Sequence, residues 1–369
     1  MNIRLLAAVA AAVWLAGCAA DRPPPAPLET VQAKIAGRQV WSARIGKVSF
    51  PLEVMARGGR LYLAADDGQV LALDATTGAE AWRAQVAGGI AAGVGSDGRF
   101  AAVVTRANDL VVLEAGREVW RTAQPGPVVT PPLVAGERVF VMGSDRIVRA
   151  YDALDGRYLW QFKRAGDSLT LAQRGVLAAY QDTLLVGQGA KLVALDPTVG
   201  TVRWEAAVTN PRGTNEIERL ADLVGPINRV GASYCVRAFQ SATGCVDATN
   251  GRVQWSQLGG GVEAVGGQAD AIFGADGSDR VSARRRDKGD LLWSHERLLN
   301  RQLSAPAAMG TAVVFGDFEG WLHFMDAATG QPVLRLGTDG SRIAAPLVVE
   351  GTTLVAVTAD GGVFAFRPE

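Results

Sequence analysis

Few residues of this 369-residue chain are equipped for covalent or metal chemistry, and their placement narrows that chemistry further. There are three cysteines and two histidines. His295 and His323 fall in separate segments with no ligand spacing around either, so no metal centre is predicted. Cys235 and Cys245 flank a short turn at residues 240–244 and are expected on adjacent strands. An oxidising compartment would permit a disulfide between them, and two buried free thiols remain equally open. There is no Gly-rich phosphate loop, no Ser-His-Asp set beyond chance, and no carboxylate pair that spacing brings together. No catalytic residue and no cofactor ligand is therefore predicted. The third cysteine, Cys18, takes its meaning from what precedes it.

Residues 1–17 carry one positive charge, Arg4, ahead of an apolar stretch at residues 5–15. That stretch is too short to span a bilayer and has the layout of an export signal. It ends Leu15-Ala16-Gly17-Cys18, which resembles the bacterial lipobox, whose cysteine is acylated and becomes the mature N-terminus. The resemblance implies a lipid at Cys18. The residue after it is Ala19 and not the Asp that commonly retains lipoproteins in the inner membrane, so the outer membrane of a Gram-negative bacterium is the expected location, facing the periplasm. Asp21-Arg22-Pro23-Pro24-Pro25-Ala26-Pro27 reads as a stiff, extended tether. The predicted organisation is a signal at 1–17, an acylated Cys and Pro-rich tether at 18–37, and one domain at 38–369.

The elements that position everything else come from a recurring phrase. The clearest copy is Ala72-Leu73-Asp74-Ala75-Thr76-Thr77-Gly78, closing on Trp82. Equivalent positions are Trp41, Trp120, Trp160, Trp204, Trp255, Trp293 and, in one copy, Leu334. Successive spacings are 41, 38, 40, 44, 51, 38 and 41 residues, a period that signals a stacked or radial repeat. Each unit holds several short apolar runs separated by turn residues, such as Leu61-Tyr62-Leu63 before Asp66-Asp67-Gly68. Four strands in about forty residues describe a propeller blade. Eight such runs begin near Leu61, Phe100, Val139, Leu184, Ser233, Ala271, Thr311 and Leu354. The chain is predicted to be all-β, an eight-bladed propeller of four-stranded antiparallel blades. The strand around Trp41 lacks its preceding strands and the last run lacks its Trp, so the two ends are expected to complete one blade and remove two sheet edges.

The phrase has a physical reading. Asp bonds nearby backbone amides, Gly takes a left-handed conformation, and the Trp beyond wedges between blades. Burying such a ring contributes roughly 2–3 kcal/mol. Lys plus Arg equals Asp plus Glu at 37 each, which removes any global pull toward nucleic acid. Arg284-Arg285-Arg286 stands where other copies have Leu-Asp-Ala and reads as a solvated turn.

Two segments outside the repeat resemble the BamB family, lipoproteins of the outer-membrane β-barrel assembly machinery. Gly213-Thr214-Asn215-Glu216-Ile217-Glu218-Arg219-Leu220-Ala221-Asp222 resembles the family's Thr-Glu-Ile-Asp-Arg-Leu-x-Asp stretch. Leu298-Leu299 with Leu303-Ser304-Ala305-Pro306, and residues 316–323, resemble another. The first segment lies in the longest interval between tryptophans, 204 to 255, and is charged without strand alternation. A solvated connecting loop and a recognition loop both fit that pattern. The resemblance implies the second, with Glu216, Arg219 and Asp222 contacting BamA. It also implies a neighbouring Leu-x-Leu-Arg-like contact, here Leu169 and Leu171, with the arginine displaced to Arg174. The other complex subunits would be reached through BamA, and unfolded outer-membrane precursors are further candidate partners.

Quinoprotein dehydrogenases share this kind of repeat and hold pyrroloquinoline quinone over calcium at the propeller centre. They are much longer chains with a vicinal Cys pair, which is missing here, and no Glu/Asn/Asp set can be assigned to calcium. A non-catalytic scaffold is the expectation and a quinoprotein-type enzyme the alternative.

Overall fold

Each forty-residue repeat folds into one antiparallel sheet, and the reason is visible in its burial pattern. The computed structural model describes residues 23–164, 170–211, 214–215 and 220–369. Among them are 32 strands in eight four-stranded sheets and no helix. In the first blade, the second strand Arg60–Ala64 and third strand Gln69–Asp74 are almost uniformly apolar and buried, because neighbouring blades cover both faces. The fourth strand, Glu80–Gln85, alternates between exposed and half-buried, as the outer rim requires.

Blades 1 to 7 span residues 55–85, 90–123, 133–162, 177–207, 223–258, 266–295 and 307–337. Blade 8 takes three strands from residues 348–368 and its fourth from Gly37–Arg44. That strand pairs antiparallel with Gly362–Pro368, from Gly37 opposite Pro368 to Arg44 opposite Gly362. The first strands of neighbouring blades touch in cyclic order, ending with blade 8 against blade 1. The predicted eight blades and terminal closure are what the chain adopts.

One lock repeats between blades. Seven indoles lie flat on a glycine in the next blade's turn between its third and fourth strands, as Trp160 does on Gly200, and in five of the seven that turn reads Asp-x-x-x-Gly. A Cβ on any of these glycines would come within 2.5–3.2 Å of the ring, and all seven have φ between +69° and +80°. The Trp120, Trp160 and Trp293 indoles also donate to a turn carbonyl, of Ala153, Pro197 and Ala327, at 2.9, 3.1 and 2.9 Å. Asp74 holds such a turn by accepting the N–H groups of Thr76 and Thr77 at 3.0 and 2.8 Å.

Three readings change. The turn between the strands of Cys235 and Cys245 is residues 239–241, shorter than expected, and the two cysteines sit directly opposite and are joined as a disulfide. Arg286 is not solvated. It is buried, donates to the carbonyls of Gln268 and Ser233 and to Asn228, and its pKa is pushed down to about 10 by burial. The Pro-rich segment lies outside the ring, as expected of a tether, but residues 24–36 are bound to blades 6 and 7. Asn300, Arg301 and Arg335 donate to the carbonyls of Pro24, Ala26 and Glu29 at 3.2, 3.1 and 2.8 Å. Leu28 packs into the apolar contact between those blades, and the Lys34 N–H bonds the Val333 carbonyl at 2.8 Å.

Candidate partner-docking site

In an up-and-down blade, the hairpin between the second and third strands and the connection to the next blade share one face of the ring. The loops singled out by sequence, residues 163–176 and 208–222, are both such connections and flank blade 4. Leu169, Glu216 and Arg219 lie outside the described residues, as does Cys18. Leu171, Arg174 and Asp222 are described, and each sits differently from a free surface side chain.

Asp222 joins the two loops. One carboxylate oxygen accepts the Leu171 N–H at 2.9 Å, and the other accepts Nη2 of Arg146 at 2.7 Å. Arg146 comes from the hairpin of blade 3, at φ +58°, and its carbonyl accepts from Gln188 of blade 4 at 3.0 Å. Thr170 Oγ1 donates to the Ser144 carbonyl of the same hairpin at 2.9 Å. The Leu223 N–H bonds the Gly189 carbonyl at 3.0 Å, fixing the second loop to blade 4. Leu171 is left half-buried, an apolar side chain on a segment held by Asp222 and, through Thr170, by the hairpin of blade 3. Sequence reading missed Arg146 and Gln188. The only local signal was a charged Ser-Asp-Arg hairpin, and nothing in it indicates a partner 76 residues away.

Arg174 is placed in the central channel and not on the docking surface. It is 8% exposed; Nη1 donates to the Leu52 carbonyl at 2.7 Å and Nη2 lies 3.3 Å from Glu263. Burial raises the pKa of both Glu53 and Glu263, and the Arg174 charge opposes that rise. The channel opens beside it into a cavity of about 500 Å³, lined by Glu53, Arg57, Asp97 and Arg229 among others. These residues do not fit a quinone and its calcium. Arg174 bridges the axis, the Cys235–Cys245 bond links residues ten apart within blade 5, and among the described residues no three His, Cys, Asp or Glu are placed so that they could hold a metal ion.

The family model described as outer membrane protein assembly factor BamB matches residues 29–92, 66–295 and 278–369. The chain belongs to the BamB family. A BamB from Burkholderia pseudomallei is 35% identical, over 98% of this chain and 97% of that protein. One from Bordetella pertussis is 31% identical, over 96% and 94%. The crystal structure of BamB from Moraxella catarrhalis superposes with a TM-score of 0.81 at 26% identity, covering 90% of this chain and 99% of that one. The quinohemoprotein alcohol dehydrogenase of Comamonas testosteroni superposes at 0.66 but is 15% identical, covering 95% of this chain and 81% of that one, so it shares the fold alone with this BamB-family chain.

Proposed function

We propose that this chain is a non-catalytic scaffold of outer-membrane β-barrel assembly, held at the outer membrane by a lipid on Cys18 and docked to BamA through the two loops around blade 4. The observation that carries the reading is the Asp222 brace. Two connections that resemble the family's recognition segments are held side by side by one carboxylate on a rigid ring, which suits presentation of a preformed surface. Leu169 and Leu171 would gain burial on docking, and Glu216 and Arg219 would orient the partner by charge. Asp222 positions the loops instead of touching the partner, and Arg174 ties the base of the first loop to the channel. Association with the remaining subunits would follow through BamA. The test is affinity capture from detergent-solubilised envelopes using the full-length lipoprotein. Recovery of BamA supports the docking role; a bound quinone with calcium in the purified protein overturns the non-catalytic reading.

A further inference from the structure

The segment between the acylation site and the ring is a strap with a buried ionic foundation. Asp317, whose side chain is fully buried, accepts Nε of Arg301 at 2.7 Å and Nε2 of His323 at 2.9 Å. Arg301 then reaches the Ala26 carbonyl of the strap and the Glu319 carboxylate. Arg335 donates to Nδ1 of His323 at 3.3 Å and to the Glu29 carbonyl at 2.8 Å. Arg301 and Arg335 bind strap carbonyls, which fixes the path of the backbone, and the Leu28 and Glu29 side chains add an apolar contact and an ion pair with Arg297.

That path has a direction. Pro24 and Ala26 lie against residues 299–301, a connection between blades, and so on the same face of the ring as the docking loops. The strap then crosses the outer edge of blade 7, where Lys34 meets Val333, and enters blade 8 at Gly37 on the opposite face. The free end therefore leaves from the connection face at blades 6 and 7. Trp321 stands at the connection-face end of its strand, Trp321–Asp326, on the side shared by His323. It is 37% exposed, unlike the buried wedge tryptophans such as Trp255 and Trp293. An indole at the edge of a surface, partly wet and partly apolar, suits a lipid headgroup boundary.

We infer that this corner of the connection face, with Trp321, is held against a lipid surface by the strap. The inference rests on the reading that Cys18 is acylated. From Cys18 to Pro24 there are six residue steps, so the lipid can be no more than about 20 Å from the strap's first fixed point. If the chain were free up to Gly37, the reach would be about 65 Å. A domain of this size is about 50 Å across. A 65 Å leash would let any edge of the ring approach the bilayer; a 20 Å leash admits only the edge it leaves from.

Depth-dependent quenching tests this with the full-length lipoprotein in phosphatidylethanolamine/phosphatidylglycerol vesicles carrying a headgroup-level nitroxide lipid. A fluorophore is placed at Gly277→Cys, on the connection face of blade 6, or at Lys288→Cys, on the opposite face of the same blade; both positions are exposed. The expected result is at least threefold stronger quenching at 277 than at 288, with the ratio falling toward one when a flexible Gly/Ser linker of about 15 residues is inserted between residues 20 and 21, which lengthens the leash and leaves the bound strap intact. Equal quenching at both sites in lipidated wild type, or stronger quenching at 288, overturns the inference alone. Mass spectrometry of the residue 18 peptide reads the acylation separately; an unmodified Cys18 overturns that reading and the inference with it.

Discussion

The carboxylate of Asp222 accepts the backbone N–H of Leu171 at 2.9 Å while holding Arg146 of blade 3 at 2.7 Å. Three blades thus meet at one side chain, and two loops separated by 51 residues become one surface. Both partners are partly shielded, so the bond is worth more than an exposed ion pair.

Removing that carboxylate is expected to loosen the first loop before it unfolds a blade. Asp222→Ala leaves the Leu171 amide without its acceptor and takes one ion-pair partner from Arg146, at a cost of about 1–3 kcal/mol. Asp222→Asn keeps an acceptor oxygen for one of them and is expected to fall between. Amide exchange at residues 171–174 should accelerate in the order wild type, Asn, Ala. Unchanged protection at those amides in Asp222→Ala would show that the brace is incidental.

The blade lock gives a sharper stability test. Trp160→Ala removes a buried ring and its bond to the Pro197 carbonyl, with an expected loss of about 3–5 kcal/mol in chemical denaturation. Gly200→Ala is expected to be costly despite adding one methyl group. Its Cβ would sit 2.5 Å from the Trp160 ring at φ +74°, where an L-residue is already disfavoured by about 1–2 kcal/mol. Gly136→Ala, also at positive φ but with open space around it, should show only the backbone part. Equal losses at 200 and 136 would remove the ring contact from the explanation.

His323 couples strap docking to pH. Burial lowers its pKa, and the Asp317 carboxylate opposes this only in part, with Arg335 and Arg301 adding to the lowering. Glu29 and Glu319 are the other charges facing the cluster, and both are paired with arginines. A folded-state pKa below the unfolded value near 6.5 means the unfolded chain takes up the proton first as pH falls. Stability is therefore complete above about pH 7 and declines as pH drops through 6.5 toward the folded-state pKa. Thermal midpoints measured from pH 7.5 to 5.5 should fall more steeply in wild type than in His323→Gln. Parallel curves would assign the acid sensitivity to other groups.

Two deletions separate ring closure from strap docking. Loss of residues 38–45 removes the fourth strand of blade 8 and opens an edge, so a large loss of stability or aggregation is expected. Loss of residues 24–33 uncovers Arg301 and Arg335 but leaves every blade complete, so a smaller fall in midpoint is expected. Equal midpoints for the two would contradict closure by the N-terminal strand.

The ring was legible because its cause is periodic. One Trp and one Gly meet across seven of the eight blade contacts, and a spacing near forty residues records that. The strap was not legible for the opposite reason. Its carbonyls are backbone atoms, and their donors lie about 275–306 positions away with no recurring pattern. A Pro-rich composition excludes a helix but does not tell a free chain from a bound one. Arg174 and Arg286 were misplaced for a related reason. The resemblance implied a partner contact for Arg174 and the basic run a solvated turn for Arg286, and only the assembled ring shows the carbonyls of Leu52 and Gln268 that receive them. At the docking site the second loop was visible as an overlong interval and the first through the resemblance alone, whereas the residue that joins them to blade 3, Arg146, was not.

The central claim is that docking to BamA runs through the loops around blade 4, and one affinity measurement addresses it most directly. Purified periplasmic BamA is titrated against wild type and Arg219→Glu, with unfolding midpoints recorded on the same samples. The account predicts at least a tenfold weaker Kd for Arg219→Glu, corresponding to about 1.4 kcal/mol, with the midpoint unchanged. Normal binding by Arg219→Glu, or binding lost only together with the fold, would contradict it.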